Sequence, residues 1–272
     1  MNGLALHRAG YVPTSLGRCF VEVAGEGPAV LLLHTAGQSG VQWEETLRRL
    51  PTFGFTAVVP DLPGHGRSDP ARGGPVEDVD GYRRACEEIA AGLGLECFYV
   101  AGVSVGGKLA LDFAVHGDGR VLGVVACGAE AYNRKQSASG LRRAREGSAS
   151  PSAAERTYYG TLASVGSSVP ADRAELIAAR HRREDPLVTA TDLGAWAVHD
   201  LRGRLGKVRC PVHLVAGAED FWIDLDDVRA TAAEIPGARV TVLDGVGHYP
   251  MEELPDFPER LAAWLRELEE AR

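Results

Sequence analysis

Seven short runs dominated by Val, Leu and Ala recur along the chain: CFVEV (19–23), AVLLLH (29–34), TAVVP (56–60), CFYVAG (97–102), VLGVVACG (121–128), VHLVAG (212–217) and VTVLDG (240–245). Most are apolar at nearly every position, which predicts strands covered on both faces and hence a mostly parallel sheet whose strands are joined by helices. The stretches between them carry helical spacing, and helices are predicted near 41–50, 79–92, 105–116, 226–234 and 256–269. The last is the clearest, because Phe257, Leu261, Trp264, Leu265 and Leu268 of DFPERLAAWLREL share one face. Strands alternating with helices make this an α/β chain.

The alternation stops between about 130 and 205. RKQSASGLRRAREGSASPSAAERTYYG and DRAELIAARHRRED are helical in spacing, rich in charge, and hold no credible buried strand. Strand-like runs resume at 212, so a helical insertion at 130–205 between two strands of one sheet, with 1–129 and 206–272 as the core, is expected rather than a linker. SASGLRRAREGSASPSAA is the one stretch that hints at low complexity.

Composition narrows the partners more than the fold. At 272 residues, 45% hydrophobic and 24% charged, the chain has the make-up of an ordinary globular protein. A formal net charge of -8 argues against nucleic acid or an anionic membrane as the main partner and leaves small, neutral or apolar compounds open. MNGLALHRAGYVPTSLGR has no apolar run of signal-peptide length and nothing downstream approaches a membrane span, so a cytoplasmic location is expected. Five widely spaced cysteines (Cys19, Cys86, Cys97, Cys127, Cys210), mostly in or beside apolar runs, read as reduced core thiols rather than zinc ligands or a disulfide frame. Composition leaves the oligomeric state open, a homodimer included.

The chemistry is concentrated at strand ends. Ser104 lies in Gly102-Val103-Ser104-Val105-Gly106, after the apolar run 97–102 and before VGGKLALDFAVHG, a predicted helix. A sharp strand-to-helix turn of this kind strains the serine at its apex and needs small residues beside it. Without the strand and helix around it, the pattern would suit a turn or capping serine better. A nucleophilic serine also needs a base and a group to orient that base. His248, in DGVGHYPMEELPDF, and Asp220, in AGAEDFW, both follow predicted strands, giving the order Ser, Asp, His. Glu219 is a rival to Asp220 if the turn is one residue out, and Asp224 and Asp226 lie a little further on.

Four segments, LLLHTAG (31–37), DLPGHGRSD (61–69), GVSVGG (102–107) and GHYPMEELPDF (247–257), resemble the α/β-hydrolase fold superfamily over essentially the whole chain. The resemblance implies Ser104 as nucleophile, His248 as general base and then acid, Asp220 as the partner that fixes the imidazole tautomer, and 130–205 as a helical cap over the site. It also implies that one oxyanion donor is the backbone amide of Ala36, with Thr35 standing where the family usually has glycine. The second donor follows from helix geometry, since the first N–H groups of the helix beginning at Val105 lack internal partners. His34 and His65 fall in loops that the resemblance marks as scaffolding.

A serine at the elbow, where dehalogenases and epoxide hydrolases of this fold carry Asp, implies an acyl-enzyme route. The overall length and single insertion are similar to enol-lactonases and small carboxylesterases, so cleavage of a carboxylic ester, lactone or thioester is expected, without metal or organic cofactor. Carbon–carbon bond hydrolases of ring-cleavage type share the architecture but typically carry Asn and a basic residue where this chain has Val103 and Phe221. Lyases, cofactor-free oxygenases and binding proteins also use the fold. Trp43, Phe221, Trp196 and Tyr158 are candidates for contact with substrate, whereas Arg182 and Arg183, beside Glu184 and Asp185, read as a solvated helix face.

Overall fold

The computed structural model describes residues 7–117, 119–134 and 138–272. One eight-stranded sheet runs through it, built from β1 (His7–Thr14), β2 (Gly17–Ala24), β3 (Ala29–Leu33), β4 (Thr56–Pro60), β5 (Phe98–Val103), β6 (Val121–Cys127), β7 (Val212–Gly217) and β8 (Arg239–Leu243). Their spatial order is β1-β2-β4-β3-β5-β6-β7-β8. The six strands from β4 to β8 run parallel, while β1 and β2 form an antiparallel hairpin on the β4 edge. After β3 the chain steps to one side to make β4 and then returns to make β5 on the other. The crevice at the carboxyl ends of β3 and β5 is therefore the switch point where α/β sheets place ligands.

Both faces of the sheet are covered, as the unbroken apolar runs require. Leu31, Leu33, Val100 and Val124 pack on one side with α2 (Val79–Gly92), α3 (Val105–His116) and α8 (Leu225–Glu234). Val30, Leu32, Ala101 and Val125 pack on the other with α1 (Glu44–Arg49) and α10 (Phe257–Glu270). The five apolar residues picked out on α10 are all buried.

Between β6 and β7 the described residues form four α-helices, α4 (Ala138–Ser148), α5 (Ala153–Leu162), α6 (Ala171–His181) and α7 (Pro186–Val198), and a 3-10 turn (Leu205–Lys207). Here α4 packs on α7 and α5 on α6. Asp185 caps α7 by accepting from the amides of Leu187 and Val188, with Pro186 in the first turn. Ahead of α10 sits a short helix, α9 (Pro250–Glu253).

The structure corrects the sequence reading at three elements. β1 was not expected, because HRAGYVPT buries only Val12 and so carries no apolar run. The helix expected over 41–50 is broken into a 3-10 turn (Gly40–Trp43), α1 and a second 3-10 turn (Leu50–Phe53), with Pro51 denying the chain a further helical amide. α9 is too short to show a period. Cys19, Cys86 and Cys127 are buried free thiols, but Cys97 is exposed and Cys210 half-buried. Among the described residues no helix is long and apolar enough to cross a membrane.

Candidate active site

Ser104 caps α3 at the carboxyl end of β5 with φ 59° and ψ -118°, and it is the one non-glycine residue with positive φ among those described. The glycines around it are required by close approach. A Cβ on Gly102 would stand 2.1 Å from the Gly106 carbonyl oxygen, and one on Gly106 would stand 2.3 Å from that of Leu33. The Ser104 amide donates to the Cys127 carbonyl at 3.0 Å, and its own carbonyl accepts from Lys108 at 2.8 Å. The strained turn is thus tied to β6 and to the first turn of α3.

His248 follows β8 and Asp220 follows β7. The imidazole Nδ1 lies 2.9 and 2.8 Å from Asp220 Oδ1 and Oδ2, and both side chains are almost fully buried. A carboxylate facing Nδ1 places the proton there and leaves Nε2 as the acceptor. Asp220 is held in turn by the amides of Trp222 and Ile223, which donate to Oδ1 at 2.8 and 3.1 Å. Gly128 makes room for the pair, since a Cβ there would come within 3.2 Å of Asp220 Oδ2 and 3.3 Å of His248 Nδ1. Among the rivals, Glu219 is occupied by the amide and hydroxyl of Ser167, Asp224 caps α8, and Asp226 pairs with Arg229.

The His248 loop rests on a carboxylate that sequence reasoning missed. Glu253, on α9, accepts from the amides of Gly247 and Tyr249, one on each side of His248, at 2.7 and 2.8 Å. It also accepts from the Gly166 amide at 3.0 Å, while the His248 amide donates to Ser164 at 2.9 Å. Burial pushes the Glu253 carboxyl above the usual range. The Glu253 and Ser164 contacts tie the His248 loop to the segment between α5 and α6.

The loop after β3 is pinned at successive peptide units. The Thr35 amide and hydroxyl both donate to Gln42 Oε1, at 2.9 and 3.1 Å. The threonine therefore finds a use where the family usually has glycine. Gln42 Nε2 donates to Glu252 Oε2 at 2.9 Å, and His181 Nε2 reaches the same oxygen at 2.7 Å. His34 Nε2 accepts from the Leu62 amide at 3.0 Å, so Nδ1 carries the proton and donates to the Thr35 carbonyl at 2.9 Å. Burial, with His65 beside it, drives the His34 ring down to about 4 and keeps it neutral. The Thr35 carbonyl and the Ala36 N–H belong to one peptide plane, so holding the carbonyl orients the amide.

Ser104, His248, Thr35 and Ala36 line one cavity of about 480 Å³, roofed largely by α4, α5 and α7. Leu193, Trp196 and Trp222 make part of its wall apolar, while Gln38, Thr157 and Glu184 supply polar groups. Of the four side chains expected to meet substrate, Trp196 lines this cavity and the other three do not. Trp43 is fully buried against Phe257, ring centres 5.9 Å apart, because its 3-10 turn folds back onto the core. Phe221 is 67% exposed, since neighbours in the turn point opposite ways and Trp222 takes the inward place. Tyr158 packs edge-on against Tyr159 with the Arg182 guanidinium over its ring, clear of the cavity. A neighbouring cavity of about 700 Å³, lined by Arg67, Arg180 and Arg183, shares Gln38 and Glu184 with the first but holds none of Ser104, Asp220 or His248.

A mostly parallel sheet that carries a strained serine on one strand end and a bonded histidine and aspartate on two others defines an α/β protein equipped for strand-end chemistry. The chain belongs to the alpha/beta hydrolase family, whose family model matches residues 30–264. Over 259 residues it is 31% identical to the pimeloyl-[acyl-carrier protein] methyl ester esterase of Chromobacterium violaceum, covering 90% of this chain and 97% of that one. Over 264 residues it is 26% identical to the 2-hydroxy-6-oxo-6-phenylhexa-2,4-dienoate hydrolase of Burkholderia cepacia, covering 90% and 89%. The solved enol-lactonase of Burkholderia xenovorans superposes with a TM-score of 0.83 at 18% identity over 94% of this chain and 100% of that one, a likeness of fold.

Proposed function

We propose that the protein is a serine hydrolase that cleaves a carboxylic ester, lactone or thioester of a small, largely apolar acyl compound in the cytoplasm. Ser104 Oγ attacks the carbonyl carbon as His248 Nε2 takes its proton, and the amides of Val105 and Ala36 hold the negative oxygen. The C–O or C–S bond then breaks and His248 returns the proton to the leaving group. Water attacks the acyl-enzyme, His248 takes a proton from it, and Ser104 departs with that proton, releasing a carboxylic acid. Asp220 keeps the imidazole in the required tautomer, and α4–α7 act as the cap that keeps bulk water from the cavity.

One observation carries the reading: the Asp220–His248 hydrogen bond opens on the same cavity as a serine held at φ 59°. The Burkholderia cepacia relative favours carbon–carbon bond hydrolysis as a second reading. Against it stand Val103 before the serine and Phe221, which turns out to solvent, after the acid.

Incubation with a short p-nitrophenyl ester and, separately, with a fluorophosphonate is expected to give turnover and an adduct mapped to Ser104. Ser104→Ala should lose both, with a fall of about 10⁴-fold or more in kcat. No adduct and no turnover in the wild-type protein would sink the serine-hydrolase reading. Turnover of a vinylogous diketone acid with little on esters would favour the carbon–carbon reading.

A further inference from the structure

α7 carries into the core a buried carboxylate, Asp192, which is 1% exposed. Three donors converge on it from three parts of the core. The Gly37 amide donates to Oδ2 at 2.7 Å from the loop after β3. His65 Nε2 donates to the same oxygen at 2.8 Å from the loop after β4, and the Tyr82 hydroxyl on α2 donates to Oδ1 at 2.5 Å. His65 Nδ1 faces the Pro63 carbonyl at 3.1 Å, so both ring nitrogens meet acceptors, an arrangement that favours the protonated ring. Burial opposes that charge, and the Asp192 carboxylate overrides it, holding the ring above its ordinary range. Asp192 stays ionised in return: burial would raise its carboxyl, but the His65 charge and three hydrogen bonds take it below the usual range.

Gly37 is next to Ala36. The peptide unit ending in the Thr35 N–H is fixed by Gln42, and the one ending in the Gly37 N–H is fixed by Asp192. The unit between them carries the Ala36 N–H. Peptide planes are rigid, so clamping both neighbours leaves the middle plane little freedom. α7 also presses on the loop directly, since a Cβ on Gly37 would fall 2.0 Å from Thr189 Oγ1.

We propose that Asp192 is a positioning residue for the oxyanion loop, through which the seating of α7 on the core sets the direction of the Ala36 amide. The inference rests on the reading of Ala36 as an oxyanion donor. It makes hydrolysis conditional on the inserted helices being in place, because a lifted α7 takes away the acceptor of the Gly37 amide.

The test compares wild-type protein with Asp192→Asn on a p-nitrophenyl ester, alongside binding of an alkyl boronic acid that forms a tetrahedral adduct with the serine. Asn offers the Gly37 amide and His65 only a neutral carbonyl oxygen in place of the charged one, and it turns an NH₂ toward the Tyr82 hydroxyl, which must then accept instead of donate. The expected result is a fall of roughly tenfold or more in kcat with KM within about twofold, matched by weaker boronate binding. A rise in KM at constant kcat, or a loss of rate only in proportion to unfolded protein, would overturn the inference. If Asp192→Asn yields no folded protein, His65→Gln is read instead: it loosens the same oxygen, and the same drop in kcat is expected, an unchanged kcat overturning the inference. Wild-type protein without ester turnover or boronate binding would instead sink the hydrolase reading, and this inference with it.

Discussion

Ser104 holds a backbone conformation that costs a residue with a side chain about 1–3 kcal/mol, and the surrounding packing enforces it. Two variants lacking the hydroxyl therefore differ in a useful way. Ser104→Gly is expected to be more stable than Ser104→Ala by about 1 kcal/mol, although glycine has the looser unfolded chain. Thermal denaturation of the two checks this, and equal or reversed midpoints would show that the turn stores no strain. Gly102 was legible in the letters because its constraint is local, set by the Gly106 carbonyl four residues on, whereas Gly106 answers to Leu33 and His34 on the neighbouring strand and its end. The choice of Asp220 over Glu219 was not, because it depends on which of two neighbours in a turn faces a loop 28 residues away. The same alternation exchanged Phe221 for Trp222.

β3, β5 and β7 were legible because all their residues are buried, leaving the period-independent apolar run that sequence can carry. β1 gave no such signal, its alternation being lost on an edge exposed on both faces. α9 shows the same limit more sharply, since four residues hold no period and yet place Glu253 among three amides around His248. Glu253→Gln puts an amide NH₂ against donors that a carboxylate satisfies. A loss of about 1–3 kcal/mol is expected, read from urea unfolding, together with a reduced kcat as the His248 loop loosens. Unchanged stability would mean that the loop is held by its other contacts alone.

Stability across pH reports on the buried groups between the sheet and the inserted helices. His34 is held near 4 against an ordinary 6.5, so its contribution is complete above 6.5 and is lost as pH falls toward 4, up to about 3 kcal/mol. Asp61, at the end of β4, is opposed by burial but held below the usual range by its bonds to Arg67, and with Asp192 it adds further loss on the acid side. His65 runs the other way: its contribution is present below 6.5 and is lost as pH rises through its raised value. Unfolding midpoints are therefore expected to fall between pH 6.5 and 4, with a flatter slope in His34→Gln; an unchanged slope would show that the ring already protonates freely in the folded state. The sequence by itself determined the α/β class, most of the buried strands, the elbow at Ser104, and a carboxylate and a histidine at later strand ends, because burial and steric need act through near neighbours and leave a periodic trace. Only the tertiary structure decided which carboxylate meets His248, which aromatic rings face the cavity, and that Glu253 and Asp192 hold its loops. Those contacts join residues far apart in the chain, and nothing in the local pattern of apolar and polar positions records them.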